Sequence, residues 1–207
     1  LDKIEKPILF HITLTPYLKD IEPNLPSKKE IIESIKEVSK IIGKEYTYLR
    51  YDPIFINDKY TIDYHIKMFE RLTNSLESYI EHIIISFLDD YKNVRKNINI
   101  LNPKTLTKKD YEQIGKNFSK IAKAHHMTVQ TCFEEENLVE YGFIKADCLG
   151  LELAQKLTGK EKFKKWKARQ GGKCNCVEMV DIGVYNTCSH FCKYCYANYD
   201  EKKVMEN

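Results

Sequence analysis

Along this chain β-rich runs alternate with stretches in which apolar residues recur at helical spacing. "ILFHITLT" (8–15) is the first β-rich run. "PSKKEIIESIKEVSKIIG" follows it, with Ser27 and Glu30 spaced as a capping box and Gly43 placed as a C-terminal stop. Ile31, Ile35, Val38 and Ile42 form one apolar stripe, so a helix is predicted there. "YTYLRYDPIF" is the next predicted strand, and residues 61–79 the next helix, with Ile66, Phe69, Leu72 and Leu76 on one face. "HIIISFLDD" is a third strand, followed by polar helical material to Leu101. Thr107 caps a helix through "TLTKKDYEQIGKNFSKIAKAHH", which runs into a fourth strand, "MTVQTCFEE". Shorter helices are predicted over 135–141 and 146–157, and "EMVDIGVY" (178–185) is a fifth strand.

Alternating strands and helices imply right-handed crossover units and a parallel sheet, either doubly wound or curled into a full or partial barrel. The fold class is therefore α/β. Each predicted strand ends in polar groups: Thr13 and Thr15, Arg50 and Asp52, Ser86 and Asp89, then Thr131 with Cys132 and Glu134. Ligands of parallel α/β folds bind at the carboxyl ends of strands, where the loops converge, so one mouth is expected to gather these residues. Taken singly, each such residue more often serves a turn or a helix cap than a site; it is their recurrence at several strand ends that points to function.

Composition narrows the picture only a little. The chain has 207 residues, 43% of them hydrophobic, enough to bury a substantial core. Its 33 basic and 30 acidic side chains leave a formal charge of +3, too slight to announce a nucleic-acid or membrane-surface partner. No apolar run approaches the roughly 20 residues a membrane helix needs, and "LDKIEKPILF" lacks the features of a signal peptide. No membrane partner is expected, and a cytoplasmic location follows by default. The one compositional break is "GKEKFKKWKARQGGKC" (159–174), basic and glycine-containing. The expected division is a barrel body over 1–158, a basic linker over 159–173 and a cysteine-rich strand and loop over 174–207. The linker lysines read as a solvated surface, and contact with nucleic acid has no further support.

The cysteines change the picture most. There are seven, and thiols in a reducing compartment are more often buried, catalytic or metal-bound than paired as disulfides. Cys188, Cys192 and Cys195 form C-x3-C-x2-C, Cys174 and Cys176 form C-x-C, and Cys132 and Cys148 stand alone. Thiolates are soft ligands that select zinc or iron–sulfur clusters, and a structural zinc site normally closes with four protein ligands. The trio is one short of that number. It suits a [4Fe-4S] cube that keeps one iron open, or a zinc knuckle completed by His190 or another cysteine. Cys132, Cys148, Cys174 and Cys176 make a second set of four, the number that closes a structural zinc or a second, fully ligated [4Fe-4S] site. Inert packing is the alternative for Cys132 and Cys148.

With an aromatic, Tyr194, before its last cysteine, the trio resembles the cluster loop of radical S-adenosylmethionine enzymes. "TCSHFCKYCYA" is similar to that loop in the spore photoproduct lyase branch, and "YLRYDPIF" and "HITLT" look like strands of the branch. More closely, "DIEPNLP", "RYDPI", "ISFLD", "TCFEE", "CNC", "DIGVYNTC" and "YCYANY" resemble, in order, an uncharacterised bacterial domain-of-unknown-function family that ends in a cysteine cluster. The resemblance covers nearly the whole chain. It implies a partial barrel of radical S-adenosylmethionine type, permuted so that the cluster-bearing strand comes last. It also implies a [4Fe-4S] cluster on Cys188, Cys192 and Cys195, with S-adenosylmethionine and a reducing electron donor as partners. Tyr194 would pack near the cofactor, and Thr15, Arg50 and Asp52 are candidate contacts at the mouth. Members of the family usually carry a further N-terminal segment with an Arg-Arg-Thr-Asp motif and one or two strands, so the chain reads as a shortened form. They also have glycine where Phe191 stands. No glycine-glycine-glutamate stretch of the kind that holds the cofactor's amino group is found, since Gly171 and Gly172 read as linker.

The expected function is therefore reductive cleavage of S-adenosylmethionine to a 5'-deoxyadenosyl radical that acts on a substrate the sequence does not identify. Two readings of other classes stand beside it. One is an iron–sulfur electron carrier or sensor without radical chemistry. The other is a zinc-stabilised module that binds nucleic acid.

Overall fold

A computed structural model describes residues 6–166 and 175–206. Four of the five β-rich runs form strands: β1 (Phe10–Thr13), β2 (Thr47–Ile54), β3 (His82–Phe87) and β4 (Thr128–Thr131). All neighbours pair in parallel, in the order β1-β2-β3-β4. Ile12, Leu49, Ile83 and Val129 share one register row, so a continuous apolar ridge crosses the sheet. The long helices α1 (Lys28–Ile42) and α2 (Ile62–Leu76) are the crossovers after β1 and β2. After β3 come the short helices α3 (Lys92–Lys96) and α4 (Ile98–Leu101), then α5 (Lys108–Ala124). Two further helices, α6 (Leu151–Thr158) and α7 (Glu201–Glu206), follow β4.

Local chemistry fixes the helix starts. Ser27 closes the predicted box, accepting from Glu30 N at 3.2 Å while its own N–H donates to Glu30 Oε2 at 2.8 Å. Thr107 does the same with Asp110, at 3.3 and 2.7 Å. One hydrophobic core joins α1, α2 and α5 to the sheet, through Ile35, Phe69, Leu72, Phe118, Leu49, Tyr51, Ile83 and Ile85. Phe69 and Phe118 stack with centroids 3.9 Å apart, joining α2 to α5. Strand order that never reverses, with the long helices on one face, is consistent with a partial barrel. A doubly wound sheet would switch direction. No helix among the described residues is long and apolar enough to cross a membrane.

The fifth strand does not form among the described residues. Val177 makes a single antiparallel bridge with Lys165, and residues 178–185 carry no strand. Val180, Ile182 and Val184 are 86%, 92% and 73% exposed. The alternation that suggests a strand is present, but a strand needs a neighbouring edge to bond with. The chain turns locally instead, with Asp181 Oδ1 accepting from Gly183 N at 2.8 Å. The two short helices are also shorter than expected. The first is a single 3-10 turn over Val139–Tyr141, and the second begins only at Leu151, after Gly150.

Candidate functional site

Alternation along each strand places every second side chain on the face opposite the helices. Two register rows there are largely polar: His11, Tyr48, His82 and Thr128, then Thr13, Arg50, Ile84 and Gln130 nearer the carboxyl ends. The first row is tied by rings, with His11 stacked on Tyr48 at 5.1 Å and Tyr48 tilted against His82 at 4.4 Å. His82 Nδ1 meets Thr128 Oγ1 at 2.8 Å. Burial, with the Arg50 charge adding to it, pulls the His11 pKa down to about 4, so this row is neutral. One sheet face is therefore built for packing and the other for polar contacts.

The cysteine loop sits over the carboxyl end of β1 and the helix that follows β3. Lys193 N donates to Ile21 O at 2.9 Å, and Asn24 Nδ2 to Ser189 O at 2.8 Å. From α3, Asn93 Nδ2 donates to Cys195 O at 3.0 Å, and its neighbour Asn97 Nδ2 to Lys193 O at 3.0 Å. Asn198 Nδ2 holds Cys188 O from within the loop itself. Side-chain amides thus fix the backbone carbonyls and leave the thiols of Cys188, Cys192 and Cys195 to other partners. Burial pushes the Cys192 thiol up to about 12, with Glu22 and the other two cysteines adding to the effect. Phe191 takes a left-handed φ of 54°, at the position where glycine costs least.

Under the loop lies a carboxylate that the sequence pattern does not single out. Glu22 is 2% exposed and accepts from the Thr15 hydroxyl, the Tyr194 hydroxyl and the Lys28 ammonium. Tyr194 also packs against the cluster of Tyr17, Ile21, Phe55, Tyr60, Val94 and Leu101. Burial raises its phenol pKa well above the ordinary range, and Glu22 reinforces this, so the phenol stays a donor. Thr15 and Tyr194, expected at a cofactor mouth, are thus both spoken for by Glu22.

Arg50 and Asp52 form a second group at the end of β2. Arg50 Nε donates to Asp52 Oδ2 at 2.9 Å and Nη2 to the same oxygen, and Ser86 Oγ reaches it at 3.3 Å. Arg50 Nη1 also lies 3.8 Å from Cys148 Sγ. Cys148 Sγ stands 3.0 Å from Cys132 Sγ and hydrogen-bonds Cys176 as well. Cys176 Sγ accepts from Leu149 N at 3.4 Å. The hydrogen bond from Cys148, and then Arg50, bring the Cys132 pKa down to about 6, while the bonds to Cys132 and Cys176 and burial push Cys148 up. Three of the four cysteines of the second set therefore meet, and Cys174 lies outside the described residues.

The predicted residues gather at strand ends as two groups, Thr15 and Tyr194 beside the trio and Arg50 and Asp52 beside the second set. As the side chains stand, no group of three or more His, Cys, Asp or Glu among the described residues is arranged to hold a metal ion. For a cube the demand is different, because each thiolate takes a different iron and the sulfurs need not meet at one point. Three thiols on a pinned loop would suit a cube that keeps one iron open. An open depression along the outer face of α1, lined by Ser27, Lys29, Glu30, Glu33, Ser34 and Glu37, holds none of these groups.

No curated protein matches the chain. Among solved structures, an L-ribulose 3-epimerase is similar at 11% identity with a TM-score of 0.35. The match covers 59% of this chain and 39% of that one, well under two thirds of its length. A family profile described as a domain of unknown function, DUF1848, matches residues 1–197, and the chain belongs to that family.

Proposed function

We propose that the chain is an iron–sulfur protein of radical S-adenosylmethionine type, in which Cys188, Cys192 and Cys195 hold a [4Fe-4S] cluster. The observation that carries this reading is the docking of a three-cysteine loop over the carboxyl end of a parallel α/β sheet. A cluster and S-adenosylmethionine bound there would supply one-electron chemistry for hydrogen abstraction from a substrate. The chain's own residues prepare the place for it. Asn24, Asn93, Asn97 and Asn198 fix the loop by its carbonyls. Tyr194, packed on Tyr17 with centroids 5.7 Å apart, anchors the loop on the apolar cluster beneath it. Arg50, partly buried, and Asp52, buried, are paired on the polar face and would offer both charges to a polar substrate or cofactor group.

Anaerobic reconstitution with iron and sulfide tests the reading. The reduced protein is expected to give an electron paramagnetic resonance signal that changes when S-adenosylmethionine is added. Cys192→Ala should abolish it. A cluster whose spectrum ignores S-adenosylmethionine would make the protein an electron carrier, and refusal of iron would overturn the proposal altogether.

A further inference from the structure

Cys132, Cys148 and Cys176 come from three separate stretches of chain, and each is brought in by its own bonds. Cys132 extends the β4 ladder, its N–H donating to Ile85 O at 2.9 Å. Cys148 lies on a segment strapped along β4, through Ile144 N to Val129 O at 2.9 Å and Gln130 Nε2 to Ala146 O at 3.1 Å. Cys176 arrives with the bridge to Lys165, and Val177 N donates to Leu149 O at 3.0 Å. Two of the three sulfurs also face N–H donors, Leu149 N toward Cys176 and Arg50 Nη1 toward Cys148. N–H donors of this kind are the outer partners that metal-bound sulfur uses.

We propose that these three thiolates form a mononuclear zinc site, separate from the cluster loop, that staples the 175–178 segment to the sheet. Sulfurs gathered against one another, Cys148 touching both Cys132 and Cys176, suit a single ion better than a cube. Tetrahedral zinc, with bonds of about 2.3 Å, sets its sulfurs about 3.8 Å apart, whereas sulfurs on different irons of a cube stand farther apart still. Cys132 and Cys148, at 3.0 Å, lie nearer the first value. They are closer than a shared ion allows, so the two sulfurs must part to take one. Three thiolates on Zn²⁺ leave one net negative charge, which the Arg50 guanidinium faces. The fourth position falls to a ligand beyond these side chains.

The test reads zinc and iron separately on the full chain. Anaerobically purified protein should hold one zinc per chain, and Cys148→Ser should cut zinc to roughly a tenth or less while leaving the reconstituted cluster signal intact. Cys192→Ala should do the reverse, so failure of this site and failure of the cluster reading are distinguishable. Because a ligand variant can simply misfold, wild-type protein exchanged into cobalt(II) provides the second measurement. Intense visible bands with sulfur-to-cobalt charge transfer are expected of tetrahedral thiolate ligation. Zinc retained by the Cys132→Ser, Cys148→Ser double variant overturns the site, as does a pale octahedral cobalt spectrum. So does loss of iron instead of zinc from Cys148→Ser. A metal-free protein carrying a Cys132–Cys148 disulfide would overturn it as well.

Discussion

His65 shows how much a single buried ring ties together. It is fully buried, with Tyr51 Oη 3.0 Å from Nδ1 and Phe55 O 3.1 Å from Nε2. Nε2 therefore donates to the carbonyl and Nδ1 accepts from the phenol. Burial holds its pKa down to about 4, against the weaker pull of the Phe55 carbonyl. Unfolded, the ring takes its proton near 6.5, so the unfolded chain binds more protons between those values. The stability it contributes is complete above that pH and is lost as pH falls toward 4. Urea unfolding should show a loss on the order of 2 kcal/mol from this ring between pH 7 and pH 5. His65→Gln should flatten that dependence, and an unchanged slope would count against the neutral ring. Cysteine and threonine positions could be read from their place after a β-rich run. Glu22 could not, because "DIEPNLP" has the composition of a solvated loop and its burial depends on Tyr194, far along the chain.

At the scale of elements, helices were the most legible, because a 3.6-residue stripe and a cap are both local signals. Thr107 is exposed, so its substitution tests the cap without disturbing packing. Thr107→Ala should cost about 1 kcal/mol in chemical denaturation, and Thr107→Asp should restore most of it. No loss on Thr107→Ala would mean that the N-terminus of α5 draws little from its capping box. The missing fifth strand marks the opposite case. "EMVDIGVY" has strand composition, yet pairing is a property of the neighbour as much as of the segment, and local sequence says nothing of the neighbour. The position of the cysteine loop was legible only as far as the strand-end rule goes. Its clamps, Asn24, Asn93 and Asn97, are polar residues of ordinary appearance whose role depends on the crossovers that carry them.

Across the whole molecule, stability should be graded from the middle of the sheet outward. β2 and β3 are bonded on both sides and covered by the core, whereas 179–184 is exposed and bonds little. Hydrogen exchange followed by mass spectrometry should find the slowest amides in β2 and β3 and the fastest in 179–184. Iron and sulfide loading should slow exchange over 186–198 and leave 179–184 unchanged. Strong protection of 179–184 in the metal-free protein would mean that the fifth strand forms after all. The sheet's direction of growth has its own consequence. Each strand is laid beside the one before it, so the sheet is complete at Thr131, and every described cysteine lies later in the chain. A ribosome synthesising from the N-terminus releases the whole scaffold before it releases a single described thiol. The thiols then emerge onto docking surfaces that already exist, so a metal bound by them would be loaded last, after the sheet's own folding.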